Sequence, residues 1–230
     1  MIFYQMIESE TSTFTYILGD ESTKEAIIID SVLETVERDL KLLSEMGLTL
    51  KYIVDTHVHA DHITGAGEIR KRTGAKTAIS AKAEVVCSDI ILNDGDELKF
   101  GSYTLKAFET PGHTNGCMSF YTEGMIFSGD VLLIRGTGRT DFQHGDPGQM
   151  YQSIKQKIFT LPLETKIYPA HDYKGFTYST VALEKQFNPR IGGERTVEQF
   201  IQIMNDLKLA YPKKIDIAVP ANKLCGIMPN

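Results

Sequence analysis

The chain opens on short apolar, β-branched runs separated by polar turns. Residues 2–7, 14–18 and 26–29 read as strands, and Gly19-Asp20-Glu21 marks the turn between the second and third. At Ser31 the period changes. Val32, Val36, Leu40 and Leu43 recur at helical spacing, and Gly47 closes the run. Glu34 stands three residues after Ser31, the spacing of a capping box, so a helix is predicted to open there. Further strands are predicted at 52–54, 77–79, 104–108, 117–121, 125–127 and 166–168. Further helices are predicted at 63–72, 150–159, 181–187 and 197–207.

Strands dominate the first and middle parts, with helices inserted between them. Such a series buries its apolar faces when sheet packs on sheet with helices outside, a layered α+β sandwich. No repeat, low-complexity tract or long linker interrupts it, so residues 1–230 read as a single domain. Hydrophobic residues are 42% and charged residues 23%, enough for a sizeable core. The net charge of -6 argues against nucleic acid or an anionic membrane as partner, although a small anionic substrate needs only a locally basic site. No stretch approaches the ~20 apolar residues of a membrane helix. The start, MIFYQMIESE, lacks the basic-then-apolar signature of a targeting leader, which points to the cytoplasm. Cys87, Cys117 and Cys225 are odd in number and widely spaced, so no disulfide framework is expected and a reducing compartment fits.

The chemistry concentrates in the histidines. Three of the six lie in Thr56-His57-Val58-His59-Ala60-Asp61-His62. A lone histidine is usually a satisfied core or surface residue; this clustering is different. Residues two apart on an extended stretch share a face, so His57 and His59 can point the same way. Imidazole and carboxylate suit iron, zinc and manganese. Thr110-Pro111-Gly112-His113, Phe127-Ser128-Gly129-Asp130 and Tyr168-Pro169-Ala170-His171-Asp172 each follow an apolar run. Separately they are ordinary turns. Behind HxHxDH, in this order, they complete a set of metal ligands of undetermined nuclearity.

That series resembles the metal-site motifs of the metallo-β-lactamase superfamily over about residues 13–171. The resemblance implies a four-layer αββα sandwich with the site at one edge of the sheets. Beyond these motifs, FSGDVLLIRGTGRTDFQHGD, IYPAHDYKGFTYSTVALEKQFNPR and IDIAVPANKLCG are similar to the persulfide dioxygenases, also called sulfur dioxygenases or the ethylmalonic-encephalopathy protein family. This resemblance implies one ferrous iron per chain, held by His57, His113 and Asp130 as the catalytic ligands. It implies an oxidoreductase that converts glutathione persulfide, dioxygen and water to glutathione and sulfite. It also implies a homodimer. His59, Asp61, His62 and His171 are expected as hydrogen-bonding partners that orient ligands and waters; the alternative is that they build a second metal site.

For the glutathione carboxylates, Arg135, Arg139, Lys174 and Arg190 are the cationic candidates, and Tyr173 offers a hydroxyl. The family resemblance favours Arg139, Tyr173 and Arg190. The plainer reading makes Arg139 an ion pair with Asp141 and Arg190 a brace for the preceding helix. Asn222 is a weaker candidate for reaching the pocket. Cys117 is expected to be a small buried thiol, and Cys225 to be exposed and oxidisable; neither is assigned catalysis. No rhodanese-like cysteine loop is present. The rival function is a dizinc, glyoxalase II-type hydrolase of glutathione thioesters; a second is a non-catalytic sulfide-binding protein, against which the complete ligand set argues.

Overall fold

The structure is a computed structural model, and it describes residues 1–227. Within them, twelve strands form two sheets. The first contains β1 (Ile2–Glu8), β2 (Thr13–Gly19), β3 (Glu25–Ile29), β4 (Thr49–Val54), β5 (Lys76–Ser80) and β6 (Ile90–Leu92), paired in chain order. The second contains β7 (Glu97–Phe100), β8 (Tyr103–Glu109), β9 (Met118–Thr122), β10 (Met125–Gly129), β11 (Lys166–Pro169) and β12 (Ser179–Thr180). β3, β4, β5 and β6 run parallel, as do β10 and β11. The parallel pairs are connected through the helices or loops that follow each strand.

The alternation of side chains explains the layers. Tyr16 and Leu18, Ile27 and Ile29 point between the sheets, where they meet Phe100, Phe120, Phe127 and Tyr168. Ile17, Ala26 and Ile28, one residue out of phase, point outward onto α1 (Val36–Glu45) and α2 (Ala66–Thr73). On the far side, Ile126 and Ile167 pack under α3 (Pro147–Ser153), α4 (Val181–Phe187) and α5 (Val197–Asn205). The arrangement is the expected αββα sandwich. β2 and β3 are buried on both faces, which accounts for their nearly unbroken apolar text.

Several boundaries differ from the sequence expectation. No capping box forms at Ser31: a turn of 3-10 helix (Leu33–Thr35) precedes α1, and the buried Ser31 hydroxyl has no partner among the described residues. α2 begins at Ala66, because Ile63 to Gly65 are drawn into the loop by backbone bonds to Leu33 and Ser31. The predicted helix over 150–159 starts earlier, at Pro147 behind an Asp146 cap, and ends in a π-helical turn, Ile154–Ile158. α6 (Ile215–Asn222) is an additional element that the pattern did not predict.

The long loop after β10 is tied down by Glu184 of α4, which is fully buried. Its carboxylate accepts from Arg135 N (3.0 Å), Ser179 Oγ (2.5 Å), Asn188 Nδ2 (2.8 Å) and the Arg135 guanidinium. Arg135 is thereby held at a positive φ of 54°. Arg135→Ala would leave the buried carboxylate without its cation and is expected to cost about 3 kcal/mol of stability. Urea unfolding checks this: the midpoint should fall without change in slope, and an unchanged midpoint removes the ion pair from the loop's support.

Candidate metal centre

The ends of β4 and β10 lie side by side at one edge of the sandwich, and the loops leaving them carry the histidines and aspartates. His57 follows β4, His113 follows β8, Asp130 follows β10 and His171 follows β11. This is a rigid scaffold presenting functional groups on its loops. Gly129 makes the close approach possible. It has φ +54°, and a Cβ there would stand 2.8 Å from Thr56 Oγ1.

His57, His113 and Asp130 each present one ligand atom, and these atoms lie within 4.8 Å of one another. Hydrogen bonds assign the faces of the two rings. His113 Nδ1 is 2.7 Å from the Arg139 carbonyl, which can only accept, so Nδ1 carries the proton and Nε2 is left with a lone pair. That Nε2 is 3.6 Å from Asp130 Oδ2. His57 Nδ1 is 3.0 Å from Thr56 Oγ1, whose hydroxyl donates to Asp30 Oδ2 (2.9 Å). His57 Nδ1 is therefore the donor, and its Nε2 is also free to ligate. Burial, then the neighbouring His59 and His113, hold the His57 pKa well below the ordinary range, so the ring is neutral. Asp130 Oδ1 is buried with no hydrogen-bond partner among the described residues. Two imidazoles that each turn Nε2 inward and an under-satisfied carboxylate are the donor set a divalent metal completes.

The other four residues lie beside this trio, and Asp61 and His171 line the same cavity as His113 and Asp130. His59 Nε2 is 3.1 Å from Asp30 Oδ1. Burial alone would lower its pKa, but the Asp30 carboxylate overrides that and raises it to about 9. Its Nε2 thus carries a proton for Asp30, while its buried Nδ1 has no hydrogen-bond partner among the described residues. Asp61 Oδ2 is 3.2 Å from His62 Nδ1 and 3.5 Å from His171 Nε2. Burial would raise the Asp61 carboxyl, but His171 and His62 hold it well below the usual range. His171 Nε2 is also 3.7 Å from Asp130 Oδ1. His59, Asp61 and His62 form a second group whose ligand atoms converge within 4.8 Å, as do Asp30, Asp55 and His59. Of the six histidines, His144 stands outside the centre, on the exposed part of the loop after β10.

Two residues at the centre were not singled out from sequence. Asp30, at the end of β3, accepts from Thr56 N (2.7 Å) and Thr56 Oγ1 as well as facing His59. Thr13 Oγ1 reaches Asp61 (3.3 Å), His62 (3.4 Å) and His171 (3.4 Å). Both stand beside strand text with no motif of their own; an Asp directly after Ile27-Ile28-Ile29 was the available signal for the first.

A cavity of about 530 Å³ opens over the trio. His113, Asp130 and His171 form part of its floor, Leu133, Ile134 and Leu209 give apolar walls, and Arg139, Tyr173, Lys174 and Arg190 stand around it. Arg139 is heavily engaged: Nε and Nη2 donate to Asp141 (2.6 and 2.7 Å) and Nη1 to the Ala210 carbonyl (2.7 Å). Arg190 donates through Nη1 to Thr137 O (2.6 Å) and Oγ1 (3.1 Å), and no carboxylate pairs with it among the described residues. Tyr173 is mostly exposed and stacks on His171, with ring centroids 6.0 Å apart. Arg135 serves Glu184 instead. Asn222 is bonded to the backbone of the histidine loop.

The cysteines require a correction. Cys225 is not exposed: it is buried and forms a disulfide with Cys87 across 138 residues of sequence. The pairing joins the loop after β5 to the turn after α6, a contact that no local spacing reports. Cys117 is a free, buried thiol, and burial pushes its pKa to about 12.

Asp30→Asn is expected to lower the His59 titration of the metal-free protein from about 9, since the two largest effects opposing burial are lost and only Asp61 and Asp55 still raise it. The Asp30–His59 contribution to stability is fully present below about 6.5 and lost as pH rises through about 9. Histidine NMR titration checks this, and an unmoved His59 midpoint would exclude Asp30 as the cause.

Residues 10–171 match the family model of the metallo-beta-lactamase superfamily. The chain is 48% identical to the mitochondrial persulfide dioxygenase ETHE1 of Homo sapiens, over 99% of this chain and 89% of that one. It is 47% identical to the Mus musculus protein of the same name, with the same coverage. Among solved structures, ETHE1 from Myxococcus xanthus superposes with a TM-score of 0.96 at 49% identity, covering 98% of this chain and 100% of that one. The glyoxylase B2 of Dictyostelium discoideum stands further away, at 30% identity over 96% of this chain and 90% of its own.

Proposed function

The chain belongs to the metallo-β-lactamase superfamily and, within it, to the persulfide dioxygenases; from that premise we propose that it oxidises glutathione persulfide with dioxygen and water to glutathione and sulfite. The observation that carries the proposal is the convergence of His57, His113 and Asp130 within 4.8 Å, with His113 and Asp130 lining the cavity. We assign one ferrous iron to these residues. Bound there, it would supply open coordination positions and an electron path between the outer persulfide sulfur and dioxygen. Atoms and electrons balance. Two of the oxygens of sulfite come from dioxygen and one from water; dioxygen takes up the electrons that the sulfur pair gives up.

The chain's own residues position and protect. The Arg139 carbonyl and the Thr56 hydroxyl fix the two imidazoles so that each offers Nε2 to the same point. Leu133, Ile134 and Leu209 exclude water from the reacting end. Arg139, Tyr173 and Arg190 are proposed to meet the glutathionyl part. Arg190 has the strongest claim, because its guanidinium is half-buried without a carboxylate, a state that an incoming carboxylate relieves. Arg139 acts chiefly through its loop, whose carbonyl orients His113. His171 Nε2 lies near both Asp61 and Asp130, where it can hold a proton beside the reacting groups. The cytoplasm is proposed as the compartment, since glutathione is kept in thiol form there; the Cys87–Cys225 disulfide runs against the absence of disulfides first expected from the cysteine spacing.

Anaerobically purified protein should contain one iron per chain and consume oxygen with glutathione persulfide. A full iron complement without oxygen uptake would sink the proposal; two zinc ions with thioesterase activity would replace it with the hydrolase. Asp130→Ala is expected to abolish both iron retention and oxygen uptake. Arg190→Ala should raise KM roughly 10- to 100-fold with little change in kcat, the loss of one charge-assisted hydrogen bond. An unchanged KM would remove Arg190 from the substrate site.

A further inference from the structure

The last described helix, α6, ends on Asn222, a buried residue whose side chain is wholly spent on one distant loop. Asn222 Nδ2 donates to the carbonyls of His59 (2.9 Å) and His62 (2.9 Å), and Oδ1 accepts from Thr64 N (2.9 Å). A carboxamide has two N–H donors and one acceptor oxygen. Here every one engages the segment that begins at the first metal motif. No other side chain bonds to the backbone at more than one point of residues 57–65, among the described residues; Gln143 holds the Val58 carbonyl from the opposite side (2.8 Å).

The geometry makes sense of the loop. Between His57 and α2 the chain is neither strand nor helix, so its carbonyls lack regular partners. Asn222 supplies them from inside the turn. Its two donated bonds fix the peptide planes at His59 and His62, and so set where those rings project. His59 is thereby delivered to Asp30, and His57, two residues back, is left facing His113 and Asp130. α6 is itself anchored. The Cys225 carbonyl accepts from Gly67 N (2.9 Å), so closely that a Cβ on Gly67 would collide with it. Cys225 is also joined to Cys87. The carboxamide therefore sits on a fixed platform.

We propose that Asn222 is a positioning residue for the metal centre, acting through the backbone of His59, His62 and Thr64 to hold the histidine loop in its ligating form. The inference rests on the proposed iron site, and its failure is distinguishable from the failure of that site. If the wild-type protein does not hold iron, the function falls. If it does and Asn222 variants hold iron equally well, the positioning role falls.

The test uses iron-loaded wild-type protein, Asn222→Ala and Asn222→Asp, the last of which keeps the acceptor for Thr64 but loses both donors. Iron release to a chelator is expected to be about tenfold faster or more in Asn222→Ala, in line with the effect of removing outer partners of metal ligands, and at least as fast in Asn222→Asp, whose carboxylate turns an acceptor toward the two carbonyls. Cobalt(II) placed in the site should give a shifted visible absorption spectrum in both variants, which a stabilising contact remote from the metal would not cause. Wild-type release rates and spectra in folded variants would overturn the proposal. Should both variants fail to fold, the wild-type protein decides alone. Coupling is reciprocal, so loading with iron must slow hydrogen exchange at Thr64 N–H and across α6. Equal exchange with and without iron refutes the role.

Discussion

A single buried carboxylate at the end of β3 organises the site. Asp30 sits where the first sheet ends, in a left-handed conformation at φ 52°. It receives the Thr56 amide, the Thr56 hydroxyl and the His59 ring. The Thr56 hydroxyl, its proton committed to Asp30, turns an acceptor to His57 and so determines which nitrogen of that ring is free. A buried charge of this kind is costly unless every lone pair is used, and here the histidine loop supplies the partners. The loop leaves the sheet at the angle Asp30 demands; the proximity of His57 to the ends of β8 and β10 follows from it.

Much of this was legible in the residues. The nearly unbroken apolar text of β2, β3 and β10, strands buried on both faces, announced the sandwich, and β8 showed alternation about an exposed Lys106. The metal trio was legible from HxHxDH and the later Gly-His and Gly-Asp turns, and the family resemblance chose among them. β6 and β7 were not, since three or four residues carry too little alternation to separate from loop text. α6 escaped because Ile-Asp-Ile-Ala-Val-Pro-Ala-Asn has a proline inside it and no clear apolar stripe.

The tertiary bonds were the least visible. That Arg135 neutralises Glu184 and Arg139 grips Asp141 and Ala210 follows from where β10 and the helices place them, not from residue type. Four cationic candidates looked alike in sequence; the fold pairs Arg135 and Arg139 with carboxylates and leaves Arg190 free of one among the described residues. The Cys87–Cys225 pair was invisible for the same reason: it depends on where two irregular segments meet.

The attachment of Asn222 to a loop 160 residues earlier also has a temporal meaning. Ribosomal synthesis delivers the histidine loop first and the amide that closes it near the finish. While the nascent chain is held at its growing end, the sandwich can assemble its first sheet, but the carbonyls of His59 and His62 have yet to meet the amide that serves them. On the proposed role of Asn222, metal capture would await the arrival of the segment that carries the amide, and a chain truncated before that segment would lack one means of arranging its histidines.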